Sequence, residues 1–158
     1  MYNVERKKFL KKNVIIICLI LLIISVISIV GIKNNSKTSA AILKQNMEYE
    51  QYLKNEIYGV DVVTLINKAI SNNEKNNISK DQKGFYINNN KNSINIELVM
   101  ITNEQTMQTT SYKMEAISKV GITEFIKNFN TTQFKCTKKE YHSETGRIAY
   151  IELTQLPE

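Results

Sequence analysis

Tryptophan is absent from the chain, proline and histidine occur once each (Pro157, His142), and there are two cysteines, Cys18 and Cys136. These scarcities exclude whole classes of chemistry. One histidine and one outlying cysteine among scattered acids do not supply the clustered ligands of a zinc site. Asp61 and Asp81 stand without the alternating carboxylates of a calcium loop. The five glycines are isolated, so no phosphate-cradling loop occurs. Arginine is confined to Arg6 and Arg147, and no basic stripe interleaved with aromatics follows the first residues; nucleic-acid binding and bound cofactors are not expected.

What the chain does have is a charge-free apolar run, Val14 to Ile32, directly behind Arg6, Lys7, Lys8, Lys11 and Lys12. As a helix, nineteen residues rise roughly 28 Å, close to the hydrocarbon thickness of a bilayer. The run reads as a transmembrane helix (14–32), with the lipid bilayer as its partner. The five cations, offset only by Glu5, place residues 1–13 in the cytoplasm and the remainder outside. They supply +4 of the net charge of +6, so the basic character belongs to the anchor's flank and +2 is left for residues 14–158. A cleavable signal is the weaker reading, because the small residues Ser39, Ala40 and Ala41 lie well past the run's end. With Cys18 in the bilayer and Cys136 outside, no disulfide forms within the chain.

Residues 33–58 lack proline and glycine and read as a stalk helix that Gly59 ends; residues 59–158 are the size of one extracytoplasmic domain. Asp61 is placed to cap a helix over 62–72, in which Val63, Ile66 and Ile70 share a face. Strands are expected at 84–87 and 93–101, paired as a hairpin through a turn at 88–92. In the second of these Ile94, Ile96, Leu98 and Met100 form one face. Residues 102–110 read as a polar, mobile connection. Met114, Ile117, Phe125 and Phe129 then follow helical spacing, broken at Gly121. A second hairpin joins 133–141 to 147–154 through 142–146. The expected class is α+β: a transmembrane helix and a stalk helix, then a small antiparallel sheet of about four strands with short packed helices.

Each group able to do chemistry has a plainer use. His142 lies beside Glu144, a pair suited to acid–base work, but a turn histidine bonded within its own loop is the commoner case. Glu97, Glu140 and Glu152 offer carboxylates for glycoside cleavage, as any solvated strand face does. Cys136 alternates with Phe134 and reads as a small buried hydrophobe. Tyr49, Tyr52 and Tyr58 read as packing the stalk on the sheet rather than stacking on a ligand. No catalytic, cofactor or metal residue is assigned, and catalysis is not expected.

The order of basic start, apolar helix, stalk helix and small C-terminal sheet resembles that of type IV pilins and pseudopilins. The resemblance implies a filament or secretion-system subunit whose apolar helices pack together. Pilins have a small residue before the apolar run and Glu at its fifth position; here Asn13 and Cys18 stand there. Residues 59–70 (GVDVVTLINKAI) are similar to a pattern in uncharacterised single-pass proteins of low-GC Gram-positive bacteria, and the abundance of Asn, Lys and Ile is that of an AT-rich genome. The expectation is therefore a non-catalytic, membrane-anchored binding or assembly protein of the bacterial envelope, partnered by an envelope protein or by itself. A pilin-like subunit is the alternative and a small envelope hydrolase the third reading.

Overall fold

The computed structural model describes residues 38–157. The apolar run 14–32 and the basic segment 1–13 lie outside the described residues, among which no helix is long and apolar enough to cross a membrane. The chain divides into two units, Met1–Ala41 and Ile42–Glu158, and the sheet and its packing belong to the second. The described residues open in a helix, 38–53 (α1), of which 42–53 lies in that second unit.

The expected stalk helix to residue 58 is corrected here, for α1 ends at residue 53 and the chain extends into a two-residue strand, β1 (Ile57–Tyr58). Gly59 begins the next helix, α2 (Gly59–Lys75), instead of ending the previous one. Its role is space: a Cβ at Gly59 would lie 1.9 Å from the carbonyl oxygen of Phe129. Asp61 sits in the first turn of α2, where its carboxylate accepts the Tyr58 backbone N–H at 3.2 Å. That satisfies a donor at a helix start and favours negative charge near the positive end of the helix dipole. Val62, Val63, Leu65, Ile66 and Ala69 recur at three- and four-residue spacing, and all are buried.

The remaining elements are β2 (Asn95–Asn103), β3 (Gln108–Lys113), α3 (Met114–Val120), α4 (Ile122–Phe129), β4 (Gln133–Tyr141) and β5 (Ile148–Gln155). They build one five-stranded sheet in the order β1-β4-β5-β2-β3. The α+β class stands, but the sheet is mixed, not antiparallel. β2 and β5 run parallel, with Glu97 level with Glu152, whereas β2–β3, β4–β5 and β1–β4 are antiparallel. A parallel pair needs a long crossover, which the 44 residues of β3, α3, α4, β4 and their turns supply here.

The expected first strand at 84–87 is absent; Lys80 and Tyr86 form a single bridge. The Asp81 carboxylate accepts the N–H groups of Lys83 and Phe85, both at 2.9 Å, and Gly84 turns at φ +87°. Tyr86 donates its N–H to the Glu115 carboxylate and Gly84 to the Asp81 carbonyl, which leaves Ile87, bonded to the Ser79 carbonyl, as the one amide of 83–87 that serves the bridge. β2 pairs instead with β3, whose residues 108–110 lie in the stretch expected to be a mobile connection.

Other expectations hold. Ile94, Ile96, Leu98 and Met100 are all buried, α3 and α4 break at Gly121, and β4 and β5 form the second hairpin. Helices cover one face of the sheet, and Phe134, Ile148, Ile151 and Leu153 join the α2 and β2 side chains in one core.

Candidate functional site

Asparagine organises one region of this domain. The buried Asn73 side chain donates to the Ile94 carbonyl at 2.7 Å and accepts the Ile94 N–H at 2.8 Å. Its amide pairs with Ile94 as a neighbouring strand would, tying the end of α2 to the start of β2. Asn72 donates to the Asn92 carbonyl and takes a bond from Gln45 of α1. Asn89 accepts the N–H groups of Lys91, Asn92 and Ser93, shaping the 88–92 turn. Asn46 spans the last hairpin turn, donating to Gly146 and accepting from Ile148.

His142 belongs to this region. It is buried rather than held at a turn tip, and its Nε2 lies 2.7 Å from the Ser93 carbonyl oxygen. A carbonyl only accepts, so Nε2 carries the proton and donates. The ring thus bonds to the loop before β2 and not within its own turn. Glu144 pairs with Lys91 at 3.9 Å, so His142 and Glu144 hold different partners.

Of the three strand carboxylates, Glu97 and Glu152 come together on the sheet face opposite the core. Parallel register sets these like charges side by side, and the Tyr150 hydroxyl donates to both, at 2.9 and 3.4 Å. Burial, and then the Glu97 carboxylate, push the Tyr150 hydroxyl far above its ordinary pKa, keeping it a donor. Thr137 donates to the other oxygen of Glu152 at 2.7 Å, and Glu140 pairs with Lys138 at 2.7 Å.

Glu97 and Tyr150 also line a polar cleft of about 470 Å³ with Asp81, Asn88, Asn95 and Glu115. There too the groups hold one another: Glu115 accepts the Tyr86 N–H, Asn95 bonds to Asn88, and Asp81 serves its own turn. The backbone donors around Asp81 hold its carboxyl below the usual range. Among the described residues no three His, Cys, Asp or Glu side chains are grouped to hold a metal.

Cys136 is half-buried against the core, and burial pushes its thiol upward, away from the reactive thiolate. Tyr49 is buried and Tyr52 packs against the core, while Tyr58 stands in solvent. Phe125 packs against Phe129 and Phe134, at 5.1 and 6.3 Å between ring centres.

The opposite condition prevails at the other side of the sheet. β3 (QTTSYK) is an edge strand exposed at all six positions, and among the described strands only β2 pairs with it. Its outer backbone groups form a row open to another strand. Residues 109–113 contain no proline, and the one charge on the strand, Lys113, is at its end.

Beside this edge lies a groove of about 420 Å³, walled by Tyr112, Val120, Ile117, Phe125 and Phe129 and floored by Met100. Its origin is legible in α3. Met114 and Ile117 are buried, and Val120 continues their three-residue spacing past the cover of the sheet, where it is 78% exposed. Gly121, at φ +117°, then turns the chain sharply into α4, the second wall. Glu124, the groove's only charged residue, already meets Lys127 and Asn128. An open strand edge next to an apolar groove can take up polypeptide, the backbone row supplying hydrogen bonds and the groove receiving side chains. Sequence reasoning missed this site because it read 102–110 as a mobile connection and assigned no strand to 111–113.

Comparison with protein-family models, curated proteins and solved structures finds no match.

Proposed function

We propose that this chain is a single-pass, membrane-anchored protein of the bacterial envelope whose outer domain acts by binding or assembly through the β3 edge and its groove, without catalysis. The observation that carries the reading is the juxtaposition of the outer edge of β3, unpaired among the described residues, with exposed Val120 and Tyr112. Exposed apolar surface beside an open edge is a liability that proteins ordinarily cover with charge, proline or another element. The anchor rests on the run Val14–Ile32 and the cations before it. A pilin-like filament or secretion-system subunit is the second reading, favoured by the apolar run being followed by a helix whose Tyr49 enters the core.

Hydrogen exchange on the full-length protein tests the binding reading. In its own membrane, the amides of 108–113 are expected to be protected, and to lose protection when the protein is diluted in detergent. Equal exchange in both states would remove the edge as a binding surface. Ile20→Leu with Ile24→Leu separates the two readings, since the change disturbs specific helix packing in a filament and leaves simple anchoring intact.

A further inference from the structure

We infer that the occupant of the β3 edge is β3 of a second copy of this chain, paired antiparallel about a two-fold axis. This rests on the reading of that edge as the binding surface.

Self-pairing of an edge strand across a two-fold axis normal to the sheet keeps helices on one side and doubles the sheet. Residues then pair with their own kind or at even offsets from it. Centred on Ser111, the register sets Thr110 opposite Tyr112 and Thr109 opposite Lys113. No like charges meet, because Lys113 is the only charge on the strand. Threonine beside an aromatic is a favourable cross-strand pair.

The ends of the strand are complementary as well. In this register the β2–β3 turn of one copy passes the start of α3 of the other. That turn carries Glu104 as its one charge and Met107, which is half-exposed and held at φ +51°. At the receiving end the exposed cations are Lys113 and Lys119, and the exposed apolar group is Val120. Acid approaches Lys119, the Lys113 ammonium lying over the Phe85 ring at 4.8 Å, and methionine meets the groove, twice over by symmetry. Met100 and Leu98, the core residues of β2, are level with Thr110 and Tyr112, so Tyr112 lies on the helix-covered face and the two grooves fall on the same side of the joined sheet. Two anchors in one membrane raise the local concentration, so a small interface suffices.

Ser111, on the opposite face, sits on the axis, where directly opposed Cα atoms are roughly 4.5–5.5 Å apart, within disulfide reach. The test is the full-length chain in its membrane, with Cys18→Ser and Cys136→Ser, carrying one new cysteine and treated with a mild oxidant. Ser111→Cys is expected to shift to twice the chain's mass. Lys113→Cys is expected to stay monomeric, since the two copies of that position lie about 13 Å apart. Thr110→Cys covers an axis displaced by one residue, and a dimer from either axial cysteine, with none from Lys113→Cys, supports the pairing. No dimer from either overturns it. If 108–113 remain protected from exchange in that case, the edge binds a different protein; if they exchange freely, the binding reading falls with it.

Discussion

The two flanks of β2 carry equally polar sequence and treat it in opposite ways. Where α2 ends, the segments 72–77 and 88–95 are asparagine-rich, and they fold into a mesh in which Asn72, Asn73, Asn89 and Asn92 all bond across segments or turns. On the other flank Gln108–Lys113 is just as polar and, among the described residues, leaves its outer edge free. The first arrangement commits polar groups to one fixed geometry; the second leaves them exposed. A buried amide bonded through both its oxygen and its nitrogen specifies position, and an exposed edge specifies a surface. The comparison predicts that substitutions on the asparagine side act on stability, and substitutions on the β3 side act on association.

The largest effect is expected from Asn73→Leu. Leucine fills similar space but strips both backbone groups of Ile94 of their partner in a buried position. Each such loss costs about 1–3 kcal/mol, so the sum is about 2–6 kcal/mol, measurable as a lower urea midpoint. Asn73→Asp keeps the acceptor and loses the donor, and is expected to be destabilising as well. A loss for Asn73→Leu below about 1 kcal/mol would mean that the mesh is incidental.

Gly59→Ala comes next and acts on the groove side, at the end of α4. Its new methyl would meet the Phe129 carbonyl, while the Gly59 N–H bonds to the Thr132 carbonyl at 3.1 Å. Relief requires moving the end of α4, a wall of the groove, and overpacking of this kind costs about 1–3 kcal/mol. Thermal unfolding reads the loss, and changed exchange across 122–129 reads the displaced wall. An unchanged melting temperature would show that α4 yields freely.

How far the sequence reveals these regions depends on which signal each one uses. Period-two burial exposed the core face of β2, and helical spacing interrupted by Gly121 exposed the α3–α4 break. Both signals come from hydrophobic residues that must face inward. β3 has no inward-facing alternation to read, since its six side chains are all exposed, and it owes its strand state to the ladder with β2. The Asn73 clasp left no trace either. An asparagine near a helix end looks like any solvated residue, and the Asn-rich composition invited reading these stretches as genome bias. The same limit applies to Asp81, which reads as a lone acid until the turn it organises is seen. Polar residues that act through specific geometry have no periodicity, so the candidate site and the mesh were both illegible while the core was not.

A smaller effect is expected at Glu50, which holds α1 to β4. Its carboxylate takes two bonds from the Lys139 ammonium, at 2.7 and 2.9 Å, and one from the Tyr141 hydroxyl at 2.6 Å. Partial burial works to raise its pKa, but the bonds from Lys139 and Tyr141 outweigh it and the net shift is downward. A carboxyl lowered in the folded state contributes its full stability above the ordinary glutamate value of about 4.3, and that contribution is lost as pH falls through the lower folded value. Glu50→Gln is expected to cost about 0.5–1 kcal/mol at neutral pH and to flatten the acid limb of the stability curve. An identical acid limb in wild type and variant would show that other groups set it.

The smallest effect on folding, and the sharpest on the comparison, belongs to Val120→Asn. Val120 projects from the end of α3 with most of its surface in water, so the fold gives up almost no buried apolar contact when it is replaced. Substitutions at such positions ordinarily stay within about 0.5 kcal/mol. The groove, however, loses its most exposed apolar wall and gains an amide that a covering methionine or other apolar side chain cannot satisfy. Unfolding in urea is therefore expected to superimpose on wild type, while the Ser111→Cys crosslink in the membrane falls. A variant that lost stability and kept the crosslink would reverse the assignment: Val120 would then belong to the core, and association would depend on the β3 backbone alone.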